Sequence, residues 1–160
     1  MPKTPLSFTL NGSETALFVD PGANLLDTLR RGAGDLTPKL GCAQGTCGAC
    51  TVLIDGEPHL SCLTLAETVE GRDIATTGGL ADGPDLHPLQ QAFMEGFAAQ
   101  CGFCTAGMLM AAKALLDRRP NPSRDEVIEA IGGNLCRCTG YEPIVDAILT
   151  AAARMQGRSA

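Results

Sequence analysis

The stretch GCAQGTCGACT, residues 41–51, decides what this chain can form. Three cysteines, Cys42, Cys47 and Cys50, fall within nine residues, and most of the residues between them are glycine, alanine or threonine. Such a segment has little side-chain bulk, and its glycines permit positive φ, so that backbone N–H groups can turn toward the cysteine sulfurs. The stretch therefore predicts a loop that wraps closely around a group held by thiolates.

A fourth cysteine, Cys62, completes this first group, whose spacing is Cys-x4-Cys-x2-Cys-x11-Cys. That is the plant-type spacing for a 2Fe-2S cluster, in which two irons each require two thiolates. The alternative is a structural zinc site with four cysteines, but zinc usually takes its ligands in pairs on two separate knuckles. Three ligands packed into nine residues therefore favour the cluster.

The other four cysteines form a second group, Cys101-x2-Cys104 and Cys136-x-Cys138. Each pair is expected near a helix start or in a loop that joins helices, where the helix N-terminus favours the negative charge of a thiolate-bound cluster. A lone C-x-x-C pair would suggest a thioredoxin-like dithiol, but the βαβ pattern that surrounds such a motif is absent. Because four-cysteine sites serve both zinc and iron–sulfur clusters, this group by itself leaves both open.

The composition limits the class of protein in which these groups work. The chain has 160 residues, 44% of them hydrophobic, with eight cysteines and a net charge of −6. The negative charge argues against nucleic acid as a partner, and no apolar stretch approaches the roughly 18 residues of a membrane span. The sequence begins without the apolar run of an export signal. A cytoplasmic location is therefore expected, where clustered cysteines are metal ligands or redox groups rather than disulfides.

Strand and turn signals surround the first cysteine group. Strands are expected where apolar residues alternate or cluster beside an Asn-Gly or Asp-Gly hairpin turn, at 6–10, 17–19 and 51–54. Pro58 confines the strand after the second turn to a sheet edge or a late start. Between the two hairpins, a short helix is expected at 25–29, capped by Asn24 or Asp20 and ended by Gly32.

Residues 76–85 are rich in Gly, Asp and Pro and are expected to form a linker. After this linker, apolar residues recur every three or four positions, which predicts helices. The first of four expected helices has an apolar face of Leu86, Leu89, Phe93 and Phe97. The other three are expected over 105–116, from a Ser123–Glu126 capping box to Gly132-Gly133, and from Pro143 onward. Four helices with short connections suggest a small bundle, so the chain as a whole is expected to be α+β.

Three motifs of this chain resemble the signatures of the iron–sulfur subunit of the molybdenum hydroxylases, the family of xanthine dehydrogenase, aldehyde oxidoreductase and carbon monoxide dehydrogenase. They are Gly41-Cys42 with residues 47–52, the run from Gln100 to Thr105, and the run from Gly133 to Tyr141. The resemblance covers nearly the whole chain and places all eight cysteines. One departure is Ala106, which stands where many members have proline; because alanine is a good helix former, we expect only a small local change.

The resemblance implies two domains and two cofactors. Residues 1–78 would form a plant-type ferredoxin-like domain with the β-grasp fold, and residues 79–160 the family's four-helix domain. Each would bind one 2Fe-2S cluster through its own four cysteines, which are Cys42, Cys47, Cys50 and Cys62 in the first domain and Cys101, Cys104, Cys136 and Cys138 in the second.

The resemblance also implies a place in an enzyme complex. A separate large subunit would carry the molybdopterin cofactor, in the cytosine dinucleotide form often found in bacteria, and Gln100 and Cys138 would contact its pterin. Electrons would pass through the second cluster and then the first to FAD on a further medium subunit or to another acceptor. No catalytic residue or substrate site is expected on this chain, and its paired glycines do not form a G-x-G-x-x-G dinucleotide fingerprint.

Two other functions remain as alternatives from the sequence. One is an autonomous two-cluster, ferredoxin-like carrier that meets its partners transiently. The other is a zinc-stabilised interaction module without a redox role.

Overall fold

The computed structural model describes residues 2–157 as a five-stranded mixed sheet followed by helices. The strands are β1 Thr4–Leu10, β2 Ser13–Val19, β3 Thr51–Ile54, β4 Glu57–Leu60 and β5 Asp73–Ala75, and their order in the sheet is β2-β1-β5-β3-β4. The helices are α1 Leu25–Asp27, α2 Pro88–Glu95, α3 Thr105–Arg118, α4 Arg124–Ile131 and α5 Glu142–Met155. The α+β class expected from the sequence is confirmed.

Both predicted hairpins form. β1 and β2 pair antiparallel around Asn11 and Gly12, whose φ angles of 52° and 79° are those of a tight hairpin turn. β3 and β4 pair in the same way around Asp55 and Gly56. β4 lies at the edge of the sheet, where the missing N–H of Pro58 costs no ladder hydrogen bond.

β5 is a strand that the sequence analysis did not predict. It pairs parallel with β1 and antiparallel with β3, and therefore joins the two hairpins into one sheet. Its three residues, Asp73–Ala75, are too short to show an alternating pattern, although Ile74 is fully buried. Tertiary pairing rather than local pattern specifies this strand.

The sheet buries one apolar face against the predicted short helix. Asn24 caps α1 by accepting a hydrogen bond from the backbone N–H of Asp27, and the helix continues as a wider π-helical segment, Thr28–Gly32. Leu25 and Leu29 lie fully buried against sheet residues such as Leu6 and Ile54. The segment leads directly into the cysteine loop and so fixes where that loop begins.

The second half has its own apolar core, built from α2 to α5. The capping box of α4 is present, with Ser123 and Glu126 each bonded to the other's backbone N–H. Leu89 and Phe93 face this core, but the predicted apolar stripe is wrong at both of its ends. Leu86 precedes α2, and Phe97 follows it with a φ of 51° that leaves its side chain 83% exposed.

Residues 76–85 connect the two halves, and the first residues of this segment are hydrogen-bonded to both of them. Thr76 is almost completely buried, and its side chain exchanges hydrogen bonds with Asn11 and Asp35. Thr77 donates its hydroxyl to the carbonyl of Ala106 at the start of α3. The predicted linker therefore attaches the helical half to the sheet.

The two halves meet most closely where α3 crosses the cysteine loop. Gly107 lies so near the carbonyl oxygen of Gly48 that a Cβ at position 107 would collide with it. The same oxygen accepts a hydrogen bond from the side-chain amide of Asn134 at 2.9 Å, and Asn134 is itself buried. A glycine in the helix and an amide from the α4–α5 loop thus hold the cysteine loop against the helices.

Within residues 2–157, no helix is long and apolar enough to cross a membrane.

We predict that Gly107→Ala weakens the contact between the two halves, and lowers the unfolding free energy, more than a glycine-to-alanine change in the loop before α5 does. The added methyl group meets the Gly48 carbonyl and the Asn134 amide, and such overpacking typically costs about 1–3 kcal/mol of unfolding free energy. The matched control is Gly133→Ala, since a Cβ there meets no atom and the φ is not positive. The measurement is the urea midpoint of the cofactor-loaded protein; equal midpoints for the two variants would contradict this packing.

Candidate iron–sulfur sites

The first site is formed by the loop between the π-helical segment and β3, together with Cys62, which is the second residue after β4. Ala43, Gly45 and Gly48 all have positive φ, between 55° and 78°, so the loop repeatedly turns its backbone N–H groups inward. The N–H groups of Gln44 and Thr46 point to the sulfur of Cys42, at 3.5 and 3.4 Å. The sequence analysis predicted this arrangement from the glycines of the loop.

Two glycines of this loop are required by space, and one of them also by its backbone conformation. A Cβ at Gly41 would lie 2.7 Å from the sulfur of Cys47, and one at Gly45 would lie 2.5 Å from the side chain of Leu63. Gly45 also has a positive φ. The loop therefore approaches its own cysteines as closely as the absence of side chains allows.

The four thiols of the first site lie together as two pairs. The thiols of Cys42 and Cys47 interact electrostatically, as do those of Cys50 and Cys62, and weaker interactions link Cys62 to Cys42 and Cys47 to Cys50. Cys50 is buried and the other three are partly accessible. Two pairs of thiols are what two irons need.

The electrostatics within this site are uneven. The hydroxyl of Thr46 and then the N–H groups of Gln44 and Thr46 lower the pKa of Cys42 to about 6. Burial, followed by the neighbouring Cys50 thiol, raises the pKa of Cys62 to about 11. At neutral pH the lowered pKa favours the thiolate form of Cys42, whereas Cys62 would have to lose its proton in order to ligate a metal.

The second site lies among helix ends. Cys104 is the residue before α3, and Cys136 and Cys138 belong to the loop between α4 and α5. The sulfurs of Cys101 and Cys138 are 3.6 Å apart, and the thiols of Cys104 and Cys136 interact electrostatically. The four cysteines thus form two pairs here as well, and the N-terminus of α3 faces them with its positive dipole end.

The two pairs of the second site differ in accessibility. Cys101 and Cys138 are exposed, as is Gln100 beside them, whereas Cys104 and Cys136 are partly buried against the helical core. Burial, followed by the Cys136 thiol, raises the pKa of Cys104 to about 12. One pair therefore faces outward, toward whatever binds at this surface, and the other faces the protein.

These donor sets fit a 2Fe-2S cluster better than a single metal ion. All eight donors are thiols, which as thiolates suit iron–sulfur chemistry, and each site presents them as two pairs. The ambiguity that the sequence left for the second group is thereby reduced in favour of the cluster.

The two sites are in contact through Asn134 and Leu135, which bond to Gly48 and Cys47; we call this contact the shared wall. The backbone N–H of Leu135 donates to the carbonyl of Cys47 at 2.9 Å, so a residue next to Cys136 is bonded to a cysteine of the first site. Asn134 bonds to the loop one residue further on, at Gly48. The sequence analysis assigned no role to Asn134 or Leu135, although both lie inside the motif from Gly133 to Tyr141. The one feature of the sequence that could have indicated a role for these two residues is their position immediately before Cys136.

Two 2Fe-2S family models match the chain in succession. Residues 8–81 match a 2Fe-2S iron–sulfur cluster binding domain, and residues 76–149 match a [2Fe-2S] binding domain. Together they span both groups of cysteines.

Individual proteins match over nearly the whole chain. The nicotine 6-hydroxylase small subunit of Paenarthrobacter nicotinovorans is 50% identical over 149 residues, which are 93% of this chain and 90% of that protein. An aldehyde oxidoreductase of Megalodesulfovibrio gigas is 46% identical over 94% of this chain, but the match covers only 17% of that longer protein.

A solved structure agrees with these matches. A chain of quinoline 2-oxidoreductase from Pseudomonas putida 86 has a TM-score of 0.93 and 49% sequence identity, and the match covers 99% of this chain and 100% of that one. Two all-cysteine sites on a shared wall, two successive 2Fe-2S domain matches and full-length similarity to such small subunits lead to one conclusion. This chain belongs to the electron-transferring iron–sulfur subunits of the molybdenum hydroxylase family.

Proposed function

We propose that this subunit carries electrons from a molybdopterin cofactor on a large partner subunit, through two 2Fe-2S clusters in series, to FAD or another acceptor. The observation that carries the proposal is the shared wall, because it joins an outward-facing thiol site to a second thiol site through one backbone hydrogen bond, Leu135 to Cys47. When bound, a 2Fe-2S cluster accepts and donates one electron at a time. Two such sites in series form a relay.

In this proposal the chain divides at residues 78 and 79 into a ferredoxin-like β-grasp domain and a four-helix domain. Each domain supplies one set of four cysteine ligands: Cys42, Cys47, Cys50 and Cys62, then Cys101, Cys104, Cys136 and Cys138. The change from strands to helices and the pairing of the thiols within each group support both assignments.

The surface formed by Gln100, Cys101 and Cys138 is the side where we place the molybdenum subunit. Gln100 is exposed and adjoins a cysteine that is also exposed, and Cys138 lies against Cys101. In the proposed complex the Gln100 amide hydrogen-bonds the pterin and Cys138 touches it, the cofactor being in its cytosine dinucleotide form. The match to a much longer aldehyde oxidoreductase supports a large partner, because there the same unit is part of one long chain.

In this proposal the residues of this chain bind the two clusters, orient them and shield them from solvent; they do not transform a substrate. Glycines and inward N–H groups hold the thiolates of the first site, and helix ends hold those of the second. Relatives named for nicotine, aldehyde and quinoline share this fold, so we place the choice of substrate on the partner. We place the complex in the cytoplasm, with an FAD-binding medium subunit or another acceptor at the first site.

An autonomous two-cluster carrier is not favoured. Phe97 and Phe103, on either side of Gln100, are 83% and 47% exposed in the isolated chain. Large apolar side chains beside a redox site are typical of a surface that a permanent partner covers.

We predict about four irons and four inorganic sulfides per chain, from two four-thiolate 2Fe-2S sites. Cys62→Ala and Cys104→Ala should each lower the iron content to about half, because each removes a ligand of a different cluster. EPR of the reduced protein should show two rhombic species in the wild type and the loss of a different one in each variant. Stoichiometric zinc without acid-labile sulfide would contradict the proposal.

We predict that Gln100→Ala keeps both clusters but slows their reduction by substrate or lowers the molybdenum cofactor content of the complex. Loss of an orienting contact of this kind typically costs roughly 10–100-fold in affinity or activity. The measurement is the rate of substrate-driven cluster reduction in the assembled complex, with reduction by dithionite as the internal reference.

The matched control for that experiment is Gln91→Ala, which removes an exposed glutamine side chain on α2 instead. It should leave the substrate-driven rate and the cofactor content unchanged. Wild-type values in the Gln100 variant would make Gln100 an ordinary surface residue, for which substitutions shift stability by only about ±0.5 kcal/mol.

A further inference from the structure

A threonine hydroxyl lies against one cysteine sulfur of the second site. The Oγ1 atom of Thr139 is 3.2 Å from the sulfur of Cys136. Thr139 is not one of the expected iron ligands, so binding of the cluster does not by itself explain this approach.

The direction of this hydrogen bond follows from the other partner of Thr139. The backbone N–H of Tyr141 donates to Thr139 Oγ1 at 3.2 Å, which leaves the hydroxyl proton free to point elsewhere. A cysteine that ligates iron is a thiolate and has no proton to give. Thr139 is therefore the donor and the sulfur of Cys136 is the acceptor.

The hydroxyl is held in this position by a strained turn. Tyr141 has a φ of 71°, which is unfavourable for a bulky residue. Its own hydroxyl accepts the N–H of Cys136 at 3.0 Å, and its ring packs against the helical core. The two bonds close residues 136–141 into a small ring in which Thr139 has little freedom to turn away.

We infer that Thr139 is a positioning residue that raises the reduction potential of the second cluster through its hydrogen bond to the sulfur of Cys136. This inference rests on the ligand set of the proposed function. Reduction adds one electron and makes the sulfur ligands more negative, and a donor aimed at such a sulfur stabilises the reduced state more than the oxidised one. The electron comes from the partner's cofactor, and no proton needs to move.

The experiment compares Thr139→Val, which removes the donor, with Thr139→Ser, which keeps it. In an EPR-monitored redox titration of the complex, the valine variant should show about a threefold lower ratio of reduced to oxidised second cluster at a fixed potential. For a one-electron couple that is a shift of ~28 mV, at 59 mV for each tenfold change. The serine variant should titrate like the wild type, and an unchanged titration of the valine variant would overturn the inference.

Two further variants separate this effect from a loosened loop. Tyr141→Phe removes the other hydrogen bond of the ring without touching a sulfur, so its shift should be smaller than that of Thr139→Val. Thr46→Val removes the hydroxyl that lowers the pKa of Cys42 and should shift the first cluster only. Equal shifts in Tyr141→Phe and Thr139→Val would assign the effect to the loop and overturn the role of the hydroxyl.

The wild-type complex provides a test that needs no variant to fold. Hydroxyl protons exchange with solvent much faster than hydrogen-bonded amide protons, so a brief transfer to D2O should remove one proton coupling from the ENDOR spectrum of the reduced second cluster. Absence of any rapidly exchanging coupling would overturn the inference while the cluster signal itself upholds the proposed function. Absence of both 2Fe-2S signals would instead refute the proposed function.

Discussion

The contact between the Gly48 carbonyl and the helical half is the interaction on which the rest of this structure depends. The oxygen accepts hydrogen bonds from Asn134 and from the hydroxyl of Thr51, and Gly107 leaves the space in which this happens. Each half has its own apolar core, and a smaller cluster of Leu53, Met110 and Ala114 packs β3 against α3. Apolar contacts are not directional, so the buried polar contact is what specifies how the cysteine loop faces the helices.

Much of the fold was predictable because its signals are local. The hairpin turns at Asn11 and Asp55, the Asn24 cap and the capping box at Ser123 all formed where the residue types required them. What the sequence did not predict depends on distant partners. β5 exists because β1 and β3 pair with it, and the apolar stripe of α2 failed at Phe97 because the helix ends before that residue.

The candidate sites show the same division. The sulfurs of Cys101 and Cys138, two of the ligands expected for the second cluster, lie 3.6 Å apart although 37 residues separate them in the sequence. The residues around the sulfurs were harder to assign. Thr139 and Asn134 are small polar residues in loops, and only the fold shows that one touches a sulfur and the other the opposite half of the chain.

The long sequence separation of the Gly48–Asn134 bond has a consequence for synthesis of the chain. Gly48 and Asn134 are 86 residues apart, so the first cysteine loop leaves the ribosome long before the residue that closes one side of it. Contacts of such high separation form late, after the local turns and helices. Until Asn134 has been translated, the first cysteine loop therefore lacks the contact that fixes it against the helical half.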